Sequence, residues 1–127
     1  MIKSKFINDI LELILDGDEE GLLAKNQLPF VTEKDFEYTG GGLILSFDNL
    51  EGIQNYKVSK SDLILNGVLI ETKEFPIEAD ATLFFTNGII DYMDIWCHYG
   101  DYPKQERLNE IYFDTDLGKF TKKGYNN

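Results

Sequence analysis

Apolar residues recur at helical spacing near the start of the chain. Phe6, Ile7, Ile10, Leu11, Ile14 and Leu15 fall on one side of a 3.6-residue period, while Lys5, Asn8, Asp9 and Glu12 take the other. The pattern predicts a helix over Ser4 to Leu15, with Ser4 as its N-cap and Gly17 as its stop. Such a stripe is expected to pack on a sheet rather than to bind a partner. From Phe36 onward the pattern changes to short β-prone runs punctuated by turn residues. Gly40-Gly41-Gly42 predicts a tight turn or bulge leading into a strand over Leu43 to Phe47, and Ile53 to Val58 is a further strand candidate. Leu63-Ile64-Leu65, Asn66-Gly67 and Val68-Leu69-Ile70 spell a short hairpin.

The strongest hairpin signal runs from Ala79 to Pro103, two β-prone arms joined by Asn87-Gly88, a dipeptide suited to two positive-φ turn residues. Pro103 stops the ladder. Beyond it, Lys104 to Asn109 suits a helical turn, Ile111-Tyr112-Phe113 an edge strand, and the lysine-bearing stretch from Gly118 a frayed tail. The expected class is α+β, an N-terminal helix packed on a mainly antiparallel, hairpin-rich β-sheet. One domain over 1–127 is expected, with the helix in 1–17, the sheet in 36–117 and the tail in 118–127.

With Asn87 and Gly88 as loop residues and strict alternation, Phe85 faces Ile90, Leu83 faces Tyr92, Ala81 faces Asp94 and Ala79 faces Trp96. Small alanines opposite Trp96 leave room for the indole or for a helix, so this face is expected to be the covered one. The other face carries Asp80, Thr82, Phe84, Thr86, Ile89, Asp91, Met93, Ile95 and Cys97, and is expected either to be covered by a loop or to await a partner. Asp94 is then a carboxylate on a buried face, expected to be held by hydrogen bonds as a structural polar group.

Sequence motifs for chemistry are few. Asp16 to Gly21 resembles the first half of a calcium loop, but Gln27 stands at the twelfth position, where a bidentate carboxylate belongs, so a solvated helix end is expected there. Asp62 with Glu71-Thr72-Lys73 mimics a nuclease spacing that is too permissive to carry weight. The glycine triplet is not followed by Gly-Lys-Ser/Thr. His98 is the only histidine and Cys97 the only cysteine, which excludes an intrachain disulfide and any two-cysteine metal motif. Cys97 is expected to be a packed thiol. No catalytic residue, metal site or cofactor is assigned.

Charge narrows the partners. Twenty-three acidic residues against 12 basic ones give a net charge of −11, which repels nucleic-acid phosphates and steers basic partners inward. No apolar run reaches the length of a membrane span, and no cleavage site follows the N-terminal segment, so a soluble cytoplasmic protein without a membrane partner is expected. Carboxylates at Asp16 to Glu20, Glu33 to Glu37 and Asp114 to Asp116 are candidates for steering. Candidate partner-binding residues are Trp96, Tyr99, Asp101, Tyr102, Asp91 and Asp80.

The stretch A-x-A-x-L-F-F-x-N-G-x-I-D-Y-M-D-I-W-x-x-x-G-D-Y-P, with T-G-G-G-L-I-L-S-F upstream, resembles a group of small acidic bacterial proteins. Some of these are associated with polymorphic or contact-dependent toxin systems as immunity-type proteins. The resemblance covers Thr39 to Pro103, and Met93-Asp94 stands where the pattern shows Leu-Glu. It implies a stoichiometric binder and brings no catalytic residues; the acidic charge points to a basic toxin domain as the partner, and the chain is expected to be monomeric or homodimeric. Two other classes are open: a small hydrolase using Asp94 and His98 with Asp91 and Asp101, and a self-associating structural protein.

Overall fold

The computed structural model describes residues 1–72, 78–99 and 118–122. Helix α1 spans Lys5–Asp16, and the expected caps are in place. The Ser4 hydroxyl accepts from the Ile7 amide at 3.2 Å, and Gly17 ends the helix by donating to the Ile14 carbonyl. All six stripe residues are buried, each contributing about 1.5–3 kcal/mol by leaving water. A further cap comes from far along the chain. The Glu33 carboxylate accepts from the amides of Lys3 at 2.9 Å and Ser4 at 2.8 Å, placing negative charge at the positive end of the helix dipole.

The acidic stretch that follows is spent on capping and pairing. Asp18 caps helix α2, Glu19–Ala24, by accepting from the Glu20 and Gly21 amides at 2.8 and 3.3 Å. Asp16 pairs with Lys25 at 2.7 Å. A 3₁₀ helix over Lys25–Phe30 then leads into the sheet.

The strands are β1 Val31–Tyr38, β2 Gly42–Asn49, β3 Ile64–Thr72, β4 Glu78–Thr86, β5 Ile89–Tyr99 and β6 Gly118–Lys122. They form one sheet in the order β1-β2-β5-β4-β3-β6, antiparallel at every pairing. The molecule is therefore α+β, as the pattern of one helix followed by hairpin-linked strands predicts. The glycine triplet makes the expected turn between β1 and β2, with Thr39 N–H donating to the Gly42 carbonyl.

Four expectations need correction. The sheet begins at Val31 rather than Phe36. Residues 118–122 pair with β3 as an edge strand instead of fraying, because β3 offers them an open edge. Ile53–Tyr56 is a 3₁₀ helix opened by Gly52 at φ 105°, with Asn55 N–H closing its turn onto the Gly52 carbonyl. Asn66-Gly67 is no turn: Leu65 and Val68 both face β4, opposite Leu83 and Ala81, so the two residues bulge out of one continuous strand. Gly67, at φ 110°, supplies the backbone that this needs. The helical turn expected over Lys104 to Asn109 and the strand over Ile111 to Phe113 lie outside the described residues.

Helix α1 lies across β3, β4 and β6, so one face of the sheet is covered. Leu43, Leu45, Val68, Ile70, Ala79, Ala81, Leu83, Met93 and Ile95 of that face are fully buried. Ala79 and Ala81 sit on the helix side, where their small size admits a close approach. Among the described residues no helix is long and apolar enough to cross a membrane.

The Asn87-Gly88 turn is formed as expected, with φ of 54° and 77°, but it does not project into solvent. Gln27, completely buried, donates through Nε2 to the carbonyls of Tyr56 and Gly88 and accepts at Oε1 from the Ile90 amide, all at 2.9 Å. Gly88 also donates to the Ser61 carbonyl and accepts from the Val58 amide, both at 3.0 Å. The residue whose amide denies the upstream loop a calcium ligand is therefore a three-bond staple between three segments.

Candidate functional site

What lies on the face turned away from α1 is decided by one extra residue in β5. Phe85 pairs with Ile90, but Phe84 pairs with Tyr92, leaving Asp91 as a bulge. The Thr86 hydroxyl donates to Asp91 Oδ2 at 2.6 Å and pins the irregularity. Past the bulge the alternation is reversed relative to a regular hairpin. Leu83 therefore faces Met93, Ala81 faces Ile95 and Ala79 faces Cys97, all buried on the helix side of the sheet. Tyr92, Asp94 and Trp96 turn to the open side, opposite Phe84, Thr82 and Asp80.

This corrects the expected face of the hairpin and the expected burial of Asp94 as a structural polar group. Cys97 is a packed thiol, as expected. Trp96 is no core residue but is 54% exposed.

The resulting patch is aromatic and acidic. Phe84 and Tyr92 stack with ring centroids 4.5 Å apart and an interplanar angle of 11°. Ile64, 56% exposed, continues the apolar surface opposite Phe84 on β3. On β2, Ile44 lies beside Asp94 and Gly42 beside Trp96. The indole leans over Gly41, where an added Cβ would come within 2.7 Å of Cη2 and Cζ3. That missing side chain is what lets the ring lie down over the end of β2.

Asp94 sits among these apolar groups, and the desolvation pushes its carboxyl above the usual carboxylate range. Strands β2, β3, β4 and β5 contain no lysine or arginine at all.

Of the residues proposed for partner binding, Trp96 and Asp80 are thus brought together as direct cross-strand neighbours. Asp91 stands toward the turn end of β5, engaged by Thr86. Tyr99 ends the strand, its side chain outside the description, and Asp101 and Tyr102 lie outside the described residues. Sequence reasoning missed Tyr92, Phe84 and Ile64. Their signal is the phase jump of the apolar residues from Ile90 to Met93, three positions instead of two.

The steering carboxylates divide. Asp16, Asp18 and Glu33 are occupied within the protein, Asp35 and Glu37 on β1 are exposed, and Asp114 to Asp116 lie outside the described residues.

Among the described residues, no three His, Cys, Asp or Glu side chains converge to hold a metal ion. Asp94 and His98 are four residues apart on one extended strand, about 13 Å along the backbone, beyond the reach of an acid–base pair bridged by one water. An open cleft of about 430 Å³ lies between Lys57, Ser59, Ser61 and Asn87, and another of about 230 Å³ between Asn49, Thr86 and Asp91. Both are near the Asn87-Gly88 turn, away from Trp96 and Asp94.

Comparison of the chain with protein-family models, with curated proteins and with solved structures yields no match.

Proposed function

We propose that this protein is a non-enzymatic, cytoplasmic binding module, an immunity-type inhibitor that neutralises a basic bacterial toxin domain by occupying it stoichiometrically. The observation that carries this reading is the open sheet face, where Trp96, the Phe84–Tyr92 stack and Ile64 form an apolar surface set among Asp80 and Asp94. Exposed aromatic anchors within a field of one sign are what a steered protein–protein contact requires. The net charge of −11 supplies the long-range attraction toward a basic partner. The two described clefts lie at the other end of β5, away from Trp96 and Asp94.

The test is genetic and then biochemical. Genes adjacent to this one are expressed singly and together with it. Growth arrest by one product, relieved by co-expression and accompanied by a tight, salt-sensitive complex, is the expected outcome. Arrest without relief, or no toxic neighbour, contradicts the proposal.

A further inference from the structure

The open face says more about its partner than that it is basic. An exposed indole, 54% accessible and supported over Gly41, lies beside two carboxylates: Asp80 directly across the ladder and Asp94 two positions back on the same strand. Residues two apart on a strand stand about 7 Å apart, so one flat cation can meet the Trp96 ring and the Asp94 carboxylate together. None of the four strands carrying the patch contains a lysine or arginine, and desolvation is what shifts the Asp94 carboxyl. A second copy of this chain fits poorly, since face-to-face docking would set Asp80 and Asp94 against their own counterparts.

Resting on the binding-module reading, we infer that the partner is a protein that presents an arginine side chain to this face, its guanidinium stacked on the Trp96 indole and paired with the Asp94 carboxylate. Arginine fits better than lysine. Its planar group stacks on an aromatic ring while offering two parallel N–H donors to a carboxylate, whereas an ammonium is a more strongly hydrated point charge. The Phe84–Tyr92 stack with Ile64 receives apolar groups around the arginine.

Trp96 is the only tryptophan in the chain, so it reports on its own site. The ¹⁵N-labelled full chain is titrated with hexa-arginine, hexa-lysine and hexa-glutamate peptides, following the single indole N–H resonance. Hexa-arginine is expected to shift the indole signal together with the amides around Asp94 and Asp80. Hexa-lysine shifts it at higher concentration, and hexa-glutamate leaves it in place.

Trp96→Ala is expected to weaken hexa-arginine binding about fivefold, and Asp94→Asn about threefold. Trp96→Phe, which keeps an apolar ring, falls between wild type and Trp96→Ala, and amide dispersion verifies that each variant is folded. An indole signal that hexa-arginine leaves unmoved, or equal affinity in all variants, overturns the inference. So does dimerisation through this face, seen as protection of the indole at high protein concentration. If neutralisation of a neighbouring gene product survives in the variants while the indole stays silent, the binding-module reading stands and the arginine inference falls. If the indole responds and no neighbour is neutralised, the reverse holds.

Discussion

Met93, Ile95 and Cys97 on one side of β5, and Tyr92, Asp94 and Trp96 on the other, come from one continuous run of residues, yet they answer to different demands. The first set is buried in the core with Ala79, Ala81 and Leu83. The second carries exposed aromatic surface and a carboxylate that its surroundings desolvate. Packing explains every residue of the inner side. It does not account for the exposed indole of Trp96 or the desolvated carboxylate of Asp94. The proposed function rests on the side where stability gives no reason for the residue present.

Breaking the inner side has the largest expected effect. Leu83→Ala removes a fully buried side chain and is expected to cost about 2–5 kcal/mol in urea unfolding, whereas Trp96→Ala on the outer side shifts stability by less than about 1 kcal/mol. Equal losses at the two positions would mean that Trp96 is core. Gln27→Leu comes next. It strands the Ile90 amide and deprives the Gly88 and Tyr56 carbonyls of a donor, for a loss of about 2–3 kcal/mol. Hydrogen exchange at Ile90 is expected to accelerate in that variant.

Neighbouring glycines sharpen the contrast. A Cβ at Gly42 would lie 1.9 Å from the Ile95 carbonyl oxygen, so Gly42→Ala forces β2 away from β5 at a cost of about 1–3 kcal/mol. A Cβ at Gly41 meets only the Trp96 ring, so Gly41→Ala turns the indole with little loss of stability. The indole resonance moves in Gly41→Ala while the thermal midpoint stays near that of wild type. A large drop in midpoint for Gly41→Ala would show that the ring is rigidly packed.

The smallest effect concerns pH. The Asp94 carboxyl is raised in the folded state, so the fold favours its protonated form. Its penalty is absent below the ordinary carboxylate pKa and grows as pH rises through the folded-state value. Asp94→Asn therefore matches wild type near about pH 3 and becomes the more stable of the two near about pH 7, read from urea midpoints. A variant less stable than wild type at neutral pH would mean that Asp94 holds a structural partner.

How much of this was legible in the chain depends on where the deciding partner sits. Helix α1 could be read directly, because its stripe, Ser4 cap and Gly17 stop are local. The two Asn-Gly dipeptides show the limit. Asn87-Gly88 turns the chain, while Asn66-Gly67 only bulges, since Leu65 and Val68 both find inward partners on β4. Both bulges are foreshadowed by apolar residues spaced by three instead of two, at Leu65 to Val68 and at Ile90 to Met93. Strict alternation through Asp91 put Tyr92, Asp94 and Trp96 on the wrong face, which concealed the candidate site while naming two of its members, Trp96 and Asp80. Gln27 and Glu33 were illegible as a staple and a cap, because Gln27 bonds residues 29 and 61 positions away and Glu33 bonds one 29 away.

The most direct measurement of the central claim is neutralisation itself. The chain and its Trp96→Ala/Asp94→Asn double variant are co-expressed with the toxic neighbour, after circular dichroism and urea unfolding confirm that the variant is folded. The open-face account predicts that wild type restores growth and the folded double variant does not. Full protection by the double variant would contradict it.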